Sequence, residues 1–114
     1  MEIDLEHHDD VCILRITGRL APGADEETLS EKASEIKQQR CARLLGDFRE
    51  VPWIGSMGIG FVVGLHAALR EVPGGRFVLV GASPKVRHVL DITRVSTIIL
   101  LADDLDSGLA ALRE

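Results

Sequence analysis

The sequence predicts an α/β fold: a mostly parallel sheet with packed helices and an N-terminal hairpin, in the order β-β-α-β-α-β-α-β-α. Three observations predict it. Short apolar or β-branched runs at residues 11–16, 43–48, 77–80 and 98–101 alternate with segments whose apolar residues recur every three to four positions. Turn and capping residues punctuate the junctions, at Pro22, Pro73-Gly74-Gly75, Ser83-Pro84 and Asp103-Asp104. The chain has 114 residues, 46% hydrophobic and 27% charged, enough for one domain with its own core, so residues 1–114 are read as a single unit. Strands that alternate with helices in this way imply parallel neighbours joined by crossovers.

Each element has its own warrant. Residues 2–6 alternate polar and apolar, with Ile3 and Leu5 pointing one way. The polar group His7, His8, Asp9 and Asp10 separates them from residues 11–16, and two short strands around a polar break read as a hairpin. The His-His-Asp-Asp group is expected to be a solvated turn. Adjacent turn residues diverge, and no other His or Cys has ligand spacing, so no metal site is expected. Residues 18–24 form a loop. Asp25 or Thr28 then caps an amphipathic helix whose apolar face is Leu29, Ala33 and Ile36 and which ends near Arg40. Residues 43–48 are a strand with Asp47 near its carboxyl end, followed by a connection holding Pro52 and Trp53. Residues 57–70 form the central helix, apolar nearly all round (Met57, Ile59, Phe61, Val62, Val63, Leu65, Ala67, Ala68 and Leu69) and therefore expected to be buried on most faces.

The second half is equally legible. Pro73-Gly74-Gly75 stops the central helix, and residues 77–80 have the unbroken apolar pattern of a central strand. Ser83 at N-cap and Pro84 at N1 start a helix striped by Val86, Val89 and Leu90. Residues 98–101 are the last strand. Asp103-Asp104 cap a final helix with Leu105, Leu109 and Leu112 at i, i+4 and i+7.

Composition excludes several functions. A net charge of −5 disfavours a general affinity for phosphate backbones. Aromatics are few (Phe48, Trp53, Phe61, Phe77), which disfavours base-stacking platforms, so nucleic acid is not an expected partner. Cys12 and Cys41 have no C-x-x-C spacing and are expected to be two reduced thiols. No basic-then-apolar leader opens the chain, and no apolar run approaches the roughly 20 residues of a membrane span. A soluble, cytoplasmic protein is expected.

Chemistry centres on residues 51–70, where a strand crosses into a helix, since ligands and partners meet the carboxyl ends of strands in such folds. A nucleophile elbow would need glycine where Ile54 stands, and Asp47 with His66 or His88 forms no recognisable triad. Gly58, Gly60 and Gly64 hint at a dinucleotide fingerprint but lie inside the helical pattern, and no acidic residue ends the next strand. Gly60 and Gly64 are instead expected to admit a close helix neighbour. There is no Walker lysine. The chain is read as a non-enzyme without a cofactor. For Ser56 the residue-level reading is an N-cap, worth about 1 kcal/mol.

A resemblance adds to this. The pattern Asp47-x-x-x-Val51-x-x-Ile54-x-Ser56-x-Gly58-Ile59-Gly60 resembles the signature of the STAS domain, the family of bacterial anti-sigma-factor antagonists. The stretch Gly74-Gly75-Arg76-Phe77-Val78-Leu79-Val80, then Ser83-Pro84-x-Val86-Arg87-x-Val89-Leu90, is similar to that family's next strand and helix, and Ile13-x-x-x-x-Gly18-x-Leu20 to its opening. The resemblance implies partner switching in transcription regulation. A STAS protein binds an anti-sigma factor that is also a serine kinase and so frees the sigma factor; phosphorylation of a serine at the start of the central helix, here Ser56, dissociates the pair. It further implies a partner-binding surface at Trp53, Gly55, Ser56, Met57 and Gly58, with Leu20 and Ala21 from the preceding loop.

The sequence departs from the family's Asp-Ser-Ser-Gly motif, which reads Gly55-Ser56-Met57-Gly58 here. Ala21 and Pro22 replace an acidic residue after Gly-x-Leu, and Arg94 stands where the third helix's Thr is usually followed by glycine. Two alternatives follow. One is a docking subunit of a transporter-associated or stressosome-like complex without phosphate control; the other is a binder of nucleotides or lipids. The sequence leaves open whether the protein is a homodimer.

Overall fold

The computed structural model describes residues 2–8, 10–18, 26–39 and 41–113. Its strands are β1 (Glu2–His8), β2 (Val11–Thr17), β3 (Arg43–Glu50), β4 (Arg76–Val80) and β5 (Leu100–Ala102). Its helices are α1 (Glu26–Gln38), α2 (Ser56–Arg70), α3 (Pro84–Ile92) and α4 (Leu105–Leu112), with a single 3₁₀ turn at Val95–Thr97. The strands form one five-stranded sheet in the order β1-β2-β3-β4-β5. The hairpin β1–β2 is antiparallel and every later pairing is parallel, as expected.

The layering follows from handedness. Crossovers between parallel strands are right-handed. A sheet that always advances in one direction therefore places all its crossover helices on one face. Leu29 and Ile36 of α1, Val62, Leu65 and Leu69 of α2, and Val86 and Leu90 of α3 share a core with Cys12, Leu14, Ile16, Leu44, Phe48, Phe77 and Leu79 of the sheet. Among the described residues the opposite face receives α4 alone, whose Leu105, Leu109 and Leu112 pack on Val11, Ile13, Leu45, Val78 and Val80. The helix sits close because Gly108 has no side chain: a Cβ there would come within 2.3 Å of Val80 Cγ1.

Several expectations are corrected. His7 and His8 belong to β1 and not to a turn, because the β1–β2 ladder runs to the pair His8↔Val11. β5 begins at Leu100, two residues later than expected, because residues 95–97 coil into the 3₁₀ turn. Helix α2 is not buried on most faces: Gly58, Val62, Leu65 and Leu69 are buried, while Ser56, Gly60, Gly64 and Ala67 are exposed. Gly60 and Gly64 admit no close neighbour, since a Cβ at either would meet nothing within 4 Å. They line an open apolar groove between α1 and α2, with Ala33 and Met57.

Cys12 and Cys41 are joined as a disulfide. They are 29 positions apart in sequence, yet the β2–β3 register sets Cys12 beside Leu44, so the segment entering β3 returns Cys41 to within 5.9 Å, Cα to Cα. The expectation of two reduced thiols rested on the absence of C-x-x-C spacing and on compartment, neither of which says which residues the strand register brings together. Caps behave as expected at Ser83, whose Oγ accepts the Val86 N–H at 3.2 Å, and at Asp104, whose Oδ1 accepts the Ser107 N–H at 2.8 Å. That bond draws the Asp104 carboxyl below its ordinary range. The residue Asp25 lies outside the described residues, and α1 begins at Glu26.

Candidate functional site

The connection from β3 to α2 is pinned at two points and projects between them. Val51 and Ile54 are each 1% exposed and plug the core. Between them Pro52 and Trp53 turn outward, leaving the indole 46% exposed. Buried anchors on either side thus fix the connection to the core while its aromatic residue faces solvent.

Ser56 is the first helical residue of α2, not its cap. The N-cap is Gly55, in extended backbone, whose carbonyl accepts the Ile59 N–H at 3.0 Å, and no side chain caps this end. The capping role read from the sequence therefore falls away, and an exposed hydroxyl stands at an uncapped helix N-terminus whose first turn carries no acidic residue. Gly55 is explained by its neighbour: a Cβ there would lie 2.7 Å from Cη2 of Trp53. The indole rests on the glycine, so an aspartate at 55 and this placement of Trp53 exclude each other. Met57 is half-buried beside the α1–α2 groove, and Gly58 is buried beneath the surface.

Leu20 and Ala21 lie outside the described residues. The described chain ahead of them, up to Gly18, ends beside the connection from β3. Thr17 pairs with Glu50, and the Gly18 N–H donates to the Glu50 carbonyl at 2.9 Å.

Asp47 supports the same end of the sheet. It is 2% exposed, and its carboxylate accepts from the Arg49 backbone N–H at 3.1 Å, from Arg49 Nε at 3.0 Å and NH2 at 2.8 Å, and from Arg15 Nε at 3.2 Å. Burial pushes the Asp47 carboxyl up, but the bonds from Arg49 and Arg15 outweigh it and hold the group below its ordinary range. The same contact raises the Arg49 guanidinium. Its stem crosses Gly81, which has φ +73°, and a Cβ there would fall 2.1 Å from Arg49 Cγ. The network continues across the face that α4 leaves bare. Arg15 NH1 donates to Glu6 Oε1 at 3.0 Å, and His8 Nε2 lies 3.0 Å from Glu6 Oε2. The His8 bond, then the Arg15 charge, lower the Glu6 carboxyl. Asp47 is thus engaged by Arg49 and Arg15 at the end of β3.

Comparison with known proteins agrees with this architecture. The profile of the STAS domain family matches residues 2–108. The chain is similar to the anti-sigma F factor antagonist of Paenibacillus polymyxa, 22% identical over 112 residues that cover 98% of this chain and 95% of that protein. Among solved structures, it superposes on an anti-sigma factor antagonist from Mycobacterium paratuberculosis with a TM-score of 0.88 at 22% identity, over 99% and 94% of the two chains. It also superposes on the Bacillus cell fate determinant SpoIIAA in its phosphorylated form, with a TM-score of 0.74 at 24% identity over 98% and 100% of the chains. No described helix is long and apolar enough to cross a membrane.

Proposed function

This chain belongs to the STAS domain family, and on that premise we propose that it is an anti-sigma-factor antagonist that works by partner switching. The surface around Ser56 binds an anti-sigma factor that is also a serine kinase. Transfer of the γ-phosphoryl group of ATP to the Ser56 hydroxyl dissociates the pair. The observation that carries this reading is the exposed, non-capping Ser56 at the N-terminus of α2, beside a half-exposed indole.

The physics of the switch is local. Free protein tolerates a phosphate at that position, because helix N–H groups and the helix dipole favour an anion. In a docked interface the same charge of about −1.5 to −2 is stripped of water, at a cost of several kcal/mol unless a basic group meets it. Trp53 is the anchor: its remaining exposed surface, on the order of 100 Å², offers roughly 2–3 kcal/mol on burial.

A second reading rests on Gly55 and Met57, which stand where the family motif carries Asp and Ser. Without that acidic rim the surface docks its partner constitutively, as a subunit of a larger assembly. One experiment separates the two. The protein is purified from its native cells in resting and activated states, its mass and Ser56 peptide are analysed, and affinity for the co-purifying partner is measured with wild type, Ser56→Asp and Trp53→Ala. Partner switching requires phosphate on Ser56 in one state and a loss of roughly a hundredfold or more for Ser56→Asp. Bare Ser56 in every state, with a partner indifferent to Ser56→Asp, overturns it in favour of constitutive docking. Full affinity in Trp53→Ala removes the indole from the interface.

A further inference from the structure

One cluster lies outside the Ser56 surface. His7 stands directly opposite Cys12 in the β1–β2 ladder, and its Nδ1 lies 3.3 Å from Cys12 Sγ. The donor atoms of His7, Cys12 and Cys41 all fall within 4.8 Å of one another. Both cysteines are buried, while His7 is exposed at the edge of the sheet.

The orientation of the imidazole is built in from outside. Gln39 Nε2 donates to Glu35 Oε1 at 3.2 Å, which turns the amide oxygen toward His7. That oxygen is bonded to His7 Nε2. A carbonyl oxygen only accepts, so Nε2 carries the proton, and Nδ1 presents its lone pair to the sulfur atoms. A ligand histidine in metal sites is held in this way, by an acceptor on its far nitrogen.

We propose that in the reduced protein His7, Cys12 and Cys41 bind one divalent cation of the zinc class. Reduction breaks the S–S bond. A dithiol reductant supplies two electrons and two protons, becomes a disulfide itself, and leaves two thiols. The cation then displaces both thiol protons to solvent and takes two thiolates and the neutral imidazole. Zinc–sulfur bonds of about 2.3 Å and zinc–nitrogen bonds of about 2.0 Å in a tetrahedron place neighbouring donors roughly 3.5 Å apart. The His7–Cys12 separation already matches; the sulfur atoms separate by rotation once their bond is gone. Thiolate and imidazole donors select zinc or cobalt over calcium or magnesium. The exposed side of His7 leaves the fourth position to water.

The test uses the full chain, stripped of metal, with cobalt(II) as the probe. The chain is reduced with a phosphine under anaerobic conditions until two thiols titrate, and cobalt is added. The expected result is a thiolate-to-cobalt charge-transfer band that saturates at one cation per chain and is bleached by one equivalent of zinc. The oxidised chain, whose fold is intact, should give no band. His7→Ala should weaken binding at least tenfold, and Gln39→Ala about 10–100-fold. Absence of the band in the reduced chain overturns the proposal. So does a band that His7→Ala leaves unchanged in affinity, because His7 is an exposed edge residue whose removal spares the fold.

Discussion

Reducing the Cys12–Cys41 disulfide should cost the protein a large share of its stability, through the unfolded state more than the folded one. The two residues are 29 apart in sequence, so the bond closes a loop of that order in the unfolded chain. Loop-closure entropy for such a length is about 12 cal/mol/K, or about 3.6 kcal/mol at 25 °C. Two buried thiols left in an apolar core demand no hydrogen bonds comparable to those of a hydroxyl, so the folded state loses little in return. For a chain of 114 residues the entropy of unfolding near the midpoint is roughly 240 cal/mol/K, and the melting temperature should fall by about 15 °C. The assay is a pair of thermal melts followed by circular dichroism, oxidised against phosphine-reduced, both in chelator so that no metal rescues the reduced form. Urea titrations should add a second signature: a larger m value after reduction, because the freed chain exposes more surface when it unfolds. Melts that coincide within about 3 °C would refute the loop-closure argument.

Three further perturbations probe other elements. Arg94 is the one non-glycine residue at positive φ among the described residues (φ +63°), so Arg94→Gly should relieve about 1 kcal/mol of strain and raise the melting temperature by roughly 4 °C. Asp47 has its pKa depressed in the folded state, so its contribution is full above its ordinary value near 4 and is lost as pH falls through the folded value. Asp47→Asn should therefore cost about 3 kcal/mol at pH 7, and the gap to wild type should shrink in urea titrations carried below about pH 4. Gly55→Asp restores the family residue at the expense of the indole's seat. Because Trp53 is the only tryptophan, a red-shifted emission spectrum with an unchanged melting temperature would show the ring released, and an unshifted spectrum would contradict the close contact.

Much of the fold was legible because local signals and tertiary demands coincide. Ser83-Pro84 and Asp104 cap helices where capping chemistry says they should, and the unbroken apolar run of β4 does lie between two parallel neighbours. Two of the misses share one cause. Which residues meet across strands depends on register, and register is absent from any local window. It sets His7 opposite Cys12 and returns Cys41 to both, which dissolves the expected solvated turn and the expected pair of free thiols. At the candidate site the position of Ser56 was readable from the strand-to-helix crossing, but its hydroxyl's freedom was not. The helix begins at Ser56, one residue earlier than a serine cap would require, and the cap position falls to Gly55. The glycine at 55 had no local explanation, because what it accommodates is a ring two residues away.

The sheet order, in which every strand lies next to its neighbour in sequence, has a consequence for synthesis. As the chain leaves the ribosome, each new strand meets an edge its predecessor has just laid down, so the sheet can grow in the order in which it is translated. The α4 face is the exception. Its cover is α4, and a nascent chain halted short of Leu105 displays Val11, Ile13, Leu45, Val78 and Val80 as one bare apolar stripe. Until α4 emerges, that stripe is the surface on which a chaperone, or another unfinished chain, finds purchase.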